Sequence, residues 1–325
     1  MIDFTALIKS TEAYKIISAE KKSGKLSHAY LIVCDDKDNL KSYLKEIVKL
    51  ILCDEEEACG RCRACRQTDA ENYADVYFYP TENKISTDDV VSLIGESYVK
   101  PIEGNKKVFV LCGADEMLAP AQNKLLKTLE EPPKNVHIIL GAVTEYPILT
   151  TVKSRVRKLR VQSFSDETLE RALISECPDR ERLKEAISLA GGSVGKALTL
   201  YGEESLTKLF SFADDLIVNM QSSKQVLKFS HEFSGTGASV SDLLSVLETK
   251  FRDMLLVKEK AENLIKNTSS VQKVKDANGY TTGAIIYALD KIFEARERKK
   301  FNANDTMLIE WLFFQILEGK YKWQK

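Results

Sequence analysis

The chain has 325 residues, with 47 basic and 48 acidic side chains and a net charge of −1. At about 100–200 residues per domain that length implies two or three domains, and near-neutrality argues against a chain that holds nucleic acid by bulk electrostatics. No apolar run approaches the ~18 residues of a membrane span, and the start, Met1-Ile2-Asp3-Phe4, lacks the basic-then-apolar layout of a signal peptide, so a cytoplasmic chain without a membrane partner is expected.

In chain order, apolar runs at 29–34, 75–79, 108–112, 136–140 and 157–161 alternate with helical stretches at 37–52, 87–97 and 119–130. Continuous apolar runs of about five residues suit strands buried on both faces, as in a parallel sheet flanked by helices. Thr87-Asp88-Asp89 supplies capping and acidic residues to the second of those helices. The segment 166–201 reads as a small helical unit broken near its end by Gly191-Gly192. Every proline lies at or before Pro178, so the rest is free of the residue most costly to helices. There, Leu243, Leu247, Phe251 and Leu255 recur every four residues. Ile285, Ala288, Leu289, Ile292 and Phe293 trace one helix face, and Leu308, Trp311, Leu312, Gln315 and Ile316 another.

Seven cysteines in a cytosolic chain are expected to be reduced, so spacing carries the information. Cys34 and Cys112 sit in apolar runs and read as buried thiols, and Cys177 stands alone. The remaining four form Cys53-x5-Cys59-x2-Cys62-x2-Cys65. Two overlapping C-x2-C units put thiolates on tight turns, Gly60 permits the sharp one, and four sulfurs make the tetrahedral shell of structural zinc. An iron–sulfur cluster is the competing occupant and four free thiols the plain alternative. No histidine or open coordination position stands nearby, so a structural ion is expected.

A parallel sheet with a helix after its first strand calls for a phosphate loop in residues 34–42. Lys41-Ser42 matches the end of G-x4-G-K-[ST], but the segment has no glycine, and Asp35, Asp36 and Asp38 stand where phosphates would lie. Cradling a phosphate takes converging N–H groups without opposing negative charge.

Leu125-Leu126-Lys127-Thr128-Leu129-Glu130-Glu131-Pro132-Pro133, followed by Ser154-Arg155, resembles the clamp-loader branch of the AAA+ ATPases. His28-Ala29-Tyr30 before the first loop and the cysteine insertion fit the same branch, and the resemblance covers the N-terminal half. It implies an α/β AAA+ domain with a P-loop-like core and zinc module over 1–162 (zinc insertion about 53–65). A small helical lid over 163–205 and an all-α collar over 206–325 would follow. It also implies partners: the ATPase subunits (tau/gamma) and delta subunit of a clamp loader and, through them, the sliding clamp and primer–template DNA.

Against that resemblance the ATPase parts are missing. The acidic pair that would hold magnesium falls on Cys112-Gly113, with Asp115-Glu116 two or three residues late. The polar sensor position falls in Gly141-Ala142-Val143. Gly195 stands where active relatives carry arginine, with Lys196 beside it. No ATP is expected on this chain. Ser154-Arg155 survives, with Val156 replacing the usual cysteine, and the resemblance implies that Arg155 reaches into a neighbour's ATP site while Ser154 supports it. A fixed planar cation suits that task. The plain alternative is one cation among Lys153, Arg157 and Lys158.

Glu130-Glu131 precede a proline pair and read as a helix boundary. His28, His137 and His231 have no Ser or Cys partner for nucleophilic chemistry. Two rival functions stand beside the non-ATPase stator. One is an ATP-competent clamp-loader subunit of tau/gamma type. The other is a zinc-dependent nucleic-acid binder using Arg61, Arg63 and Arg66, which could equally be a solvated face balancing Asp54–Glu57.

Overall fold

The computed structural model describes all residues except 1, 3, 81–83, 262–264, 266–278, 302 and 324–325, so Met1 and Asp3 of the N-terminal segment lie outside it. Five strands, β1 (Ala29–Cys34), β2 (Val76–Tyr79), β3 (Lys107–Cys112), β4 (Val136–Ala142) and β5 (Arg157–Val161), form one parallel sheet in the order β2-β3-β4-β1-β5. Each lies within two residues of the run that predicted it. β1 is an interior strand, with Leu31 opposite Leu140 on one side and Lys158 on the other.

The sheet is covered on both faces, which is why β1 and β4 are buried throughout. Tyr30, Ile32, Val110 and Ile139 face α1 (Phe4–Ser10), α2 (Glu12–Lys22) and α3 (Leu40–Leu52). Leu31, Phe109, Leu111 and Ile138 face the other way, where α5 (Thr87–Ser97) and α6 (Ala119–Glu130) lie beyond α4 (Arg63–Asp69) in the chain. β5 departs from the expectation of two buried faces. It is an edge strand whose Arg157, Lys158 and Arg160 are exposed and paired with Glu20, Glu145 and Asp35. Charged side chains on an edge also discourage further strand pairing.

Two boundaries differ from the sequence pattern. α3 begins at Leu40 and not at 37, because Asp36 to Asn39 form a loop held by its own side chains. α5 is capped by Ser86, one residue early, in a reciprocal box with Asp89. A four-residue helix, α7 (Thr150–Lys153), links β4 to β5.

The chain divides into two compact units, Met1–Phe164 with Ser193–Gly195, and Ser165–Gly192 with Lys196–Lys325. The second is helical: α8 (Asp166–Leu173), α9 (Arg180–Ala190), α10 (Val194–Gly202), α11 (Glu204–Asn219), α12 (Ser223–Ser234), α13 (Val240–Lys258), α14 (Thr282–Lys300) and α15 (Asp305–Lys322). Gly191 and Gly192 both take positive φ, the conformation that ends α9. Leu243, Leu247, Phe251, Ile285, Ala288, Ile292, Leu308, Leu312 and Ile316 are buried in one core. Phe293 is not: the seam of α14 runs through Ile285, Ala288, Ile292 and Ala295, and Phe293 turns outward, 64% exposed. Among the described residues no helix is long and apolar enough to cross a membrane.

Candidate functional site

The four cysteines of the spaced motif converge, their sulfurs within 4.8 Å of one another. Local structure explains how. Cys53 caps the C-terminus of α3, its N–H donating to Lys49 O. Gly60, at φ +70°, makes the left-handed turn after Cys59. Cys62 is the N-cap of α4, so Cys65 falls three residues on, in the first turn, and its N–H donates to Cys62 Sγ at 3.4 Å. Cys53 and Cys65 are buried, and Cys59 and Cys62 half-buried. The backbone N–H groups of Arg61 and Cys62 hold the Cys59 thiol down to about 6, whereas burial pushes Cys53 and Cys65 up.

A donor set of four sulfurs fits a zinc ion, whose Zn–S bonds of ≈ 2.3 Å put tetrahedral sulfurs roughly 3.8 Å apart. Cys53 and Cys62 already stand at 3.9 Å. Bound there, a metal would cross-link α3, the turn and α4. Around it, Arg61 meets Glu55 at 3.7 Å and Arg63 meets Glu103 at 3.0 Å. The acidic loop is otherwise balanced from α1 and α2, by Lys9 on Glu57 and Lys22 on Glu56.

The loop after β1 has a different content from a phosphate cradle. Asp36 is buried, and its Oδ2 accepts from Tyr43 OH at 3.0 Å, Val194 N at 3.0 Å and Gly195 N at 3.2 Å. Burial and the Asp36 charge push the Tyr43 phenol up. A Cβ on Gly195 would meet Asp36 Oδ1 at 2.8 Å and Asp38 Cβ at 2.9 Å. An arginine at that position would therefore have to displace the loop. Lys41, the match to the phosphate-loop lysine, is turned away: its Nζ pairs with Glu71 at 2.7 Å and lies 5.3 Å from the Phe78 ring centroid.

Cys112 ends β3 half-buried, its thiol pushed up to about 11 by burial. Gly113 takes φ +84° and opens a 3-10 turn over Ala114–Glu116. The two late acids are engaged elsewhere: Asp115 Oδ2 accepts from Val143 N and Thr144 N at 3.2 Å, and Glu116 pairs with Lys37 at 2.8 Å. Gly141 lets Leu44 pack against β4 where any Cβ would collide with it.

Ser154 caps α7 and Arg155 follows it. Arg155 Nη1 donates to Thr151 O at 2.8 Å and to Ser154 Oγ at 3.2 Å. Nε and Nη2 donate to Glu130 Oε1 at 2.8 and 2.5 Å. The guanidinium is one-third exposed. So Glu130 is more than a helix boundary: it holds the arginine. The helix that carries Arg155 is in turn fixed by Gln122 on α6, buried, which accepts from Leu149 N at 2.8 Å and donates to Met117 O and Pro147 O. The sequence singles out Asp36 and Glu130 but not their partners, and it does not single out Gln122 at all, since no spacing rule links these residues to what they bind. His28 Nε2 donates to Leu129 O and His137 Nδ1 to Ser27 O, structural bonds both.

A family model described as DNA polymerase III, delta subunit, matches residues 9–165. The DNA polymerase III subunit delta' of Bacillus subtilis is 26% identical over 94% of this chain and 95% of its own length. That of Pseudomonas aeruginosa is 32% identical over 54% of this chain and 56% of its own. The DNA polymerase III subunit gamma of Buchnera aphidicola is 21% identical over 97% of this chain and 95% of its own length.

Proposed function

We propose, on the likeness to DNA polymerase III delta' subunits, that the chain serves in the clamp loader as the subunit that binds no ATP. It acts as a stator that lends Arg155 to a neighbouring ATPase subunit. Its partners are the tau/gamma and delta subunits and, through them, the sliding clamp on primer–template DNA, in the cytoplasm. Residues 1–162 form the AAA+ domain, with zinc on Cys53, Cys59, Cys62 and Cys65 as a structural ion. Residues 163–205 are a lid and 206–325 a collar. This chain alone has no catalytic activity.

The observation that carries the reading is Asp36. Its carboxylate takes the backbone N–H groups of Val194 and Gly195, so an anion of the chain's own already uses donors that a phosphate could have met. A second anion there would meet its charge in a buried site. With Lys41 on Glu71 as well, the loop lacks the means to hold triphosphate. What is left for catalysis is a guanidinium at the exposed end of α7, gripped by backbone and carboxylate in a fixed orientation. Such a cation, aimed at phosphate oxygens as charge develops, supplies transition-state stabilisation without moving a proton.

The test is reconstitution with the ATPase subunits, clamp and primer–template DNA. Arg155→Ala should assemble normally and lower the stimulated ATPase by about tenfold or more, in-trans arginines being worth 10³–10⁵ in GTPases. Unchanged turnover would overturn the arginine's role. A second reading, an ATP-competent tau/gamma-type subunit, draws on the full-length similarity to a gamma subunit. It requires that the isolated chain bind Mg-ATP.

A further inference from the structure

The four-cysteine cluster has two cationic neighbours that its spacing does not announce. Lys21, at the end of α2, donates to Cys53 O and Glu55 O, both at 2.5 Å. Lys106, just before β3, donates to Ile51 O at 2.8 Å. Both are half-buried and both converge on the end of α3, where Cys53 begins the cluster. Neither forms an ion pair with a carboxylate among the described residues, although Lys9 and Lys22 beside them do. The two ammonium groups end on carbonyls only two residues apart in the chain, Cys53 O and Ile51 O. Two half-buried like charges on backbone carbonyls, with Asp54 acting on both but ion-paired with neither, are an arrangement that a further anionic group beside them would favour.

A divalent ion on four thiolates is such a group, with a net charge of about −2. Lys21 Nζ is bonded directly to the carbonyl of Cys53, one of the four ligands. Two of the four cysteines are fully buried, so the excess negative charge is not left to water. We infer that Lys21 and Lys106 are the counter-cations of the metal centre, and that Lys21 also ties it to α2. This rests on the reading of the four cysteines as a metal site. The competing role is plain C-capping of α3, since cations favour the carbonyl end of a helix.

Metal-free and metal-loaded protein separate the two. The full-length Lys21→Met/Lys106→Met double variant keeps both aliphatic stems and removes both charges, and Lys21→Arg keeps the charge. Zinc affinity would be measured by competition with a chromophoric chelator, and cobalt loading by its thiolate charge-transfer band. Outer-shell partners typically contribute 10–100-fold in metal affinity. The double variant should lose zinc about tenfold or more readily, with Lys21→Arg close to wild type. Relative to wild type, the double variant should lose less melting temperature in the metal-free form than in the metal-loaded form, since only the loaded form loses its counter-cations. Equal destabilisation with and without metal would make these lysines helix caps and overturn the inference, as would zinc affinity equal to wild type. If the wild-type chain takes up neither metal, the metal reading itself fails. Far-UV circular dichroism of each variant certifies the fold.

Discussion

Asp36 carries an unusual load for one side chain: a buried carboxylate with four donors, Tyr43 OH, Val194 N, Gly195 N and Asn39 Nδ2. Truncation would strand the two backbone N–H groups and the phenol, and an orphaned buried polar group costs about 1–3 kcal/mol. Asp36→Ala should therefore destabilise the full chain by about 2–3 kcal/mol in urea unfolding. Asp36→Asn, which keeps one acceptor oxygen, should cost less. A loss under about 0.5 kcal/mol for the alanine would mean the carboxylate is not the keystone of this loop. His137 makes a prediction of opposite chemistry. Burial, with Lys106 and His28 adding to it, lowers the affinity of the ring for its second proton. In the unfolded chain the ring titrates near its free value of ≈ 6.5, so as pH falls through that value the unfolded state takes up the proton first. The stability present above it is lost on acidification towards the lower folded value. Between pH 7.5 and 5.5, wild type should lose more of its melting temperature than His137→Gln. Parallel pH profiles would remove the histidine as the cause.

At the scale of elements, what could be read from the sequence was what is local in it. The strands were legible because each is a short apolar run, and the sheet buries both faces of β1, β3 and β4. The edge strand β5 was legible as a strand but not as an edge: its exposed Arg157, Lys158 and Arg160 find their acids through the fold. α3 was read three residues long because the loop before it is held by Asp36, whose partners at Val194 and Gly195 lie 158 and 159 residues on. The cysteine cluster was legible because its ligands span one helix end, one turn and one N-cap. Its cations were not, since Lys21 reaches Cys53 across 32 residues. Arg155 could be picked out only by its motif, as the surrounding run of cations gives it no distinction. Its grip on Glu130, 25 residues away, follows from α6 ending beside α7. Gln122 belongs to the same class: a polar residue within an apolar helix face, whose three bonds tie α6 to the loop before α7.

For the whole molecule, the near-zero net charge acquires a cause. Cations along 157–160 that could have extended a phosphate-binding strip are neutralised within the first unit, Arg157 by Glu20, Lys158 by Glu145 and Arg160 by Asp35. The same internal pairing bears on nucleotide. An ATPase is stabilised by its nucleotide, because anything that binds only the native state adds RT ln(1 + [L]/Kd): about 2.7 kcal/mol at one hundred times Kd. For a unit of this size each kcal/mol moves the melting temperature by ≈ 2–4 °C, so Mg-ATP at about 5 mM on a site of about 50 μM would raise it by roughly 5–11 °C. With Asp36 taking the N–H groups of Val194 and Gly195 and Lys41 on Glu71, no such rise is expected. Scanning calorimetry of the isolated chain with and without Mg-ATP should give transitions within about 1 °C of each other. A shift of several degrees would mean that the loop opens to nucleotide, and the chain would then be a working ATPase subunit and not the stator.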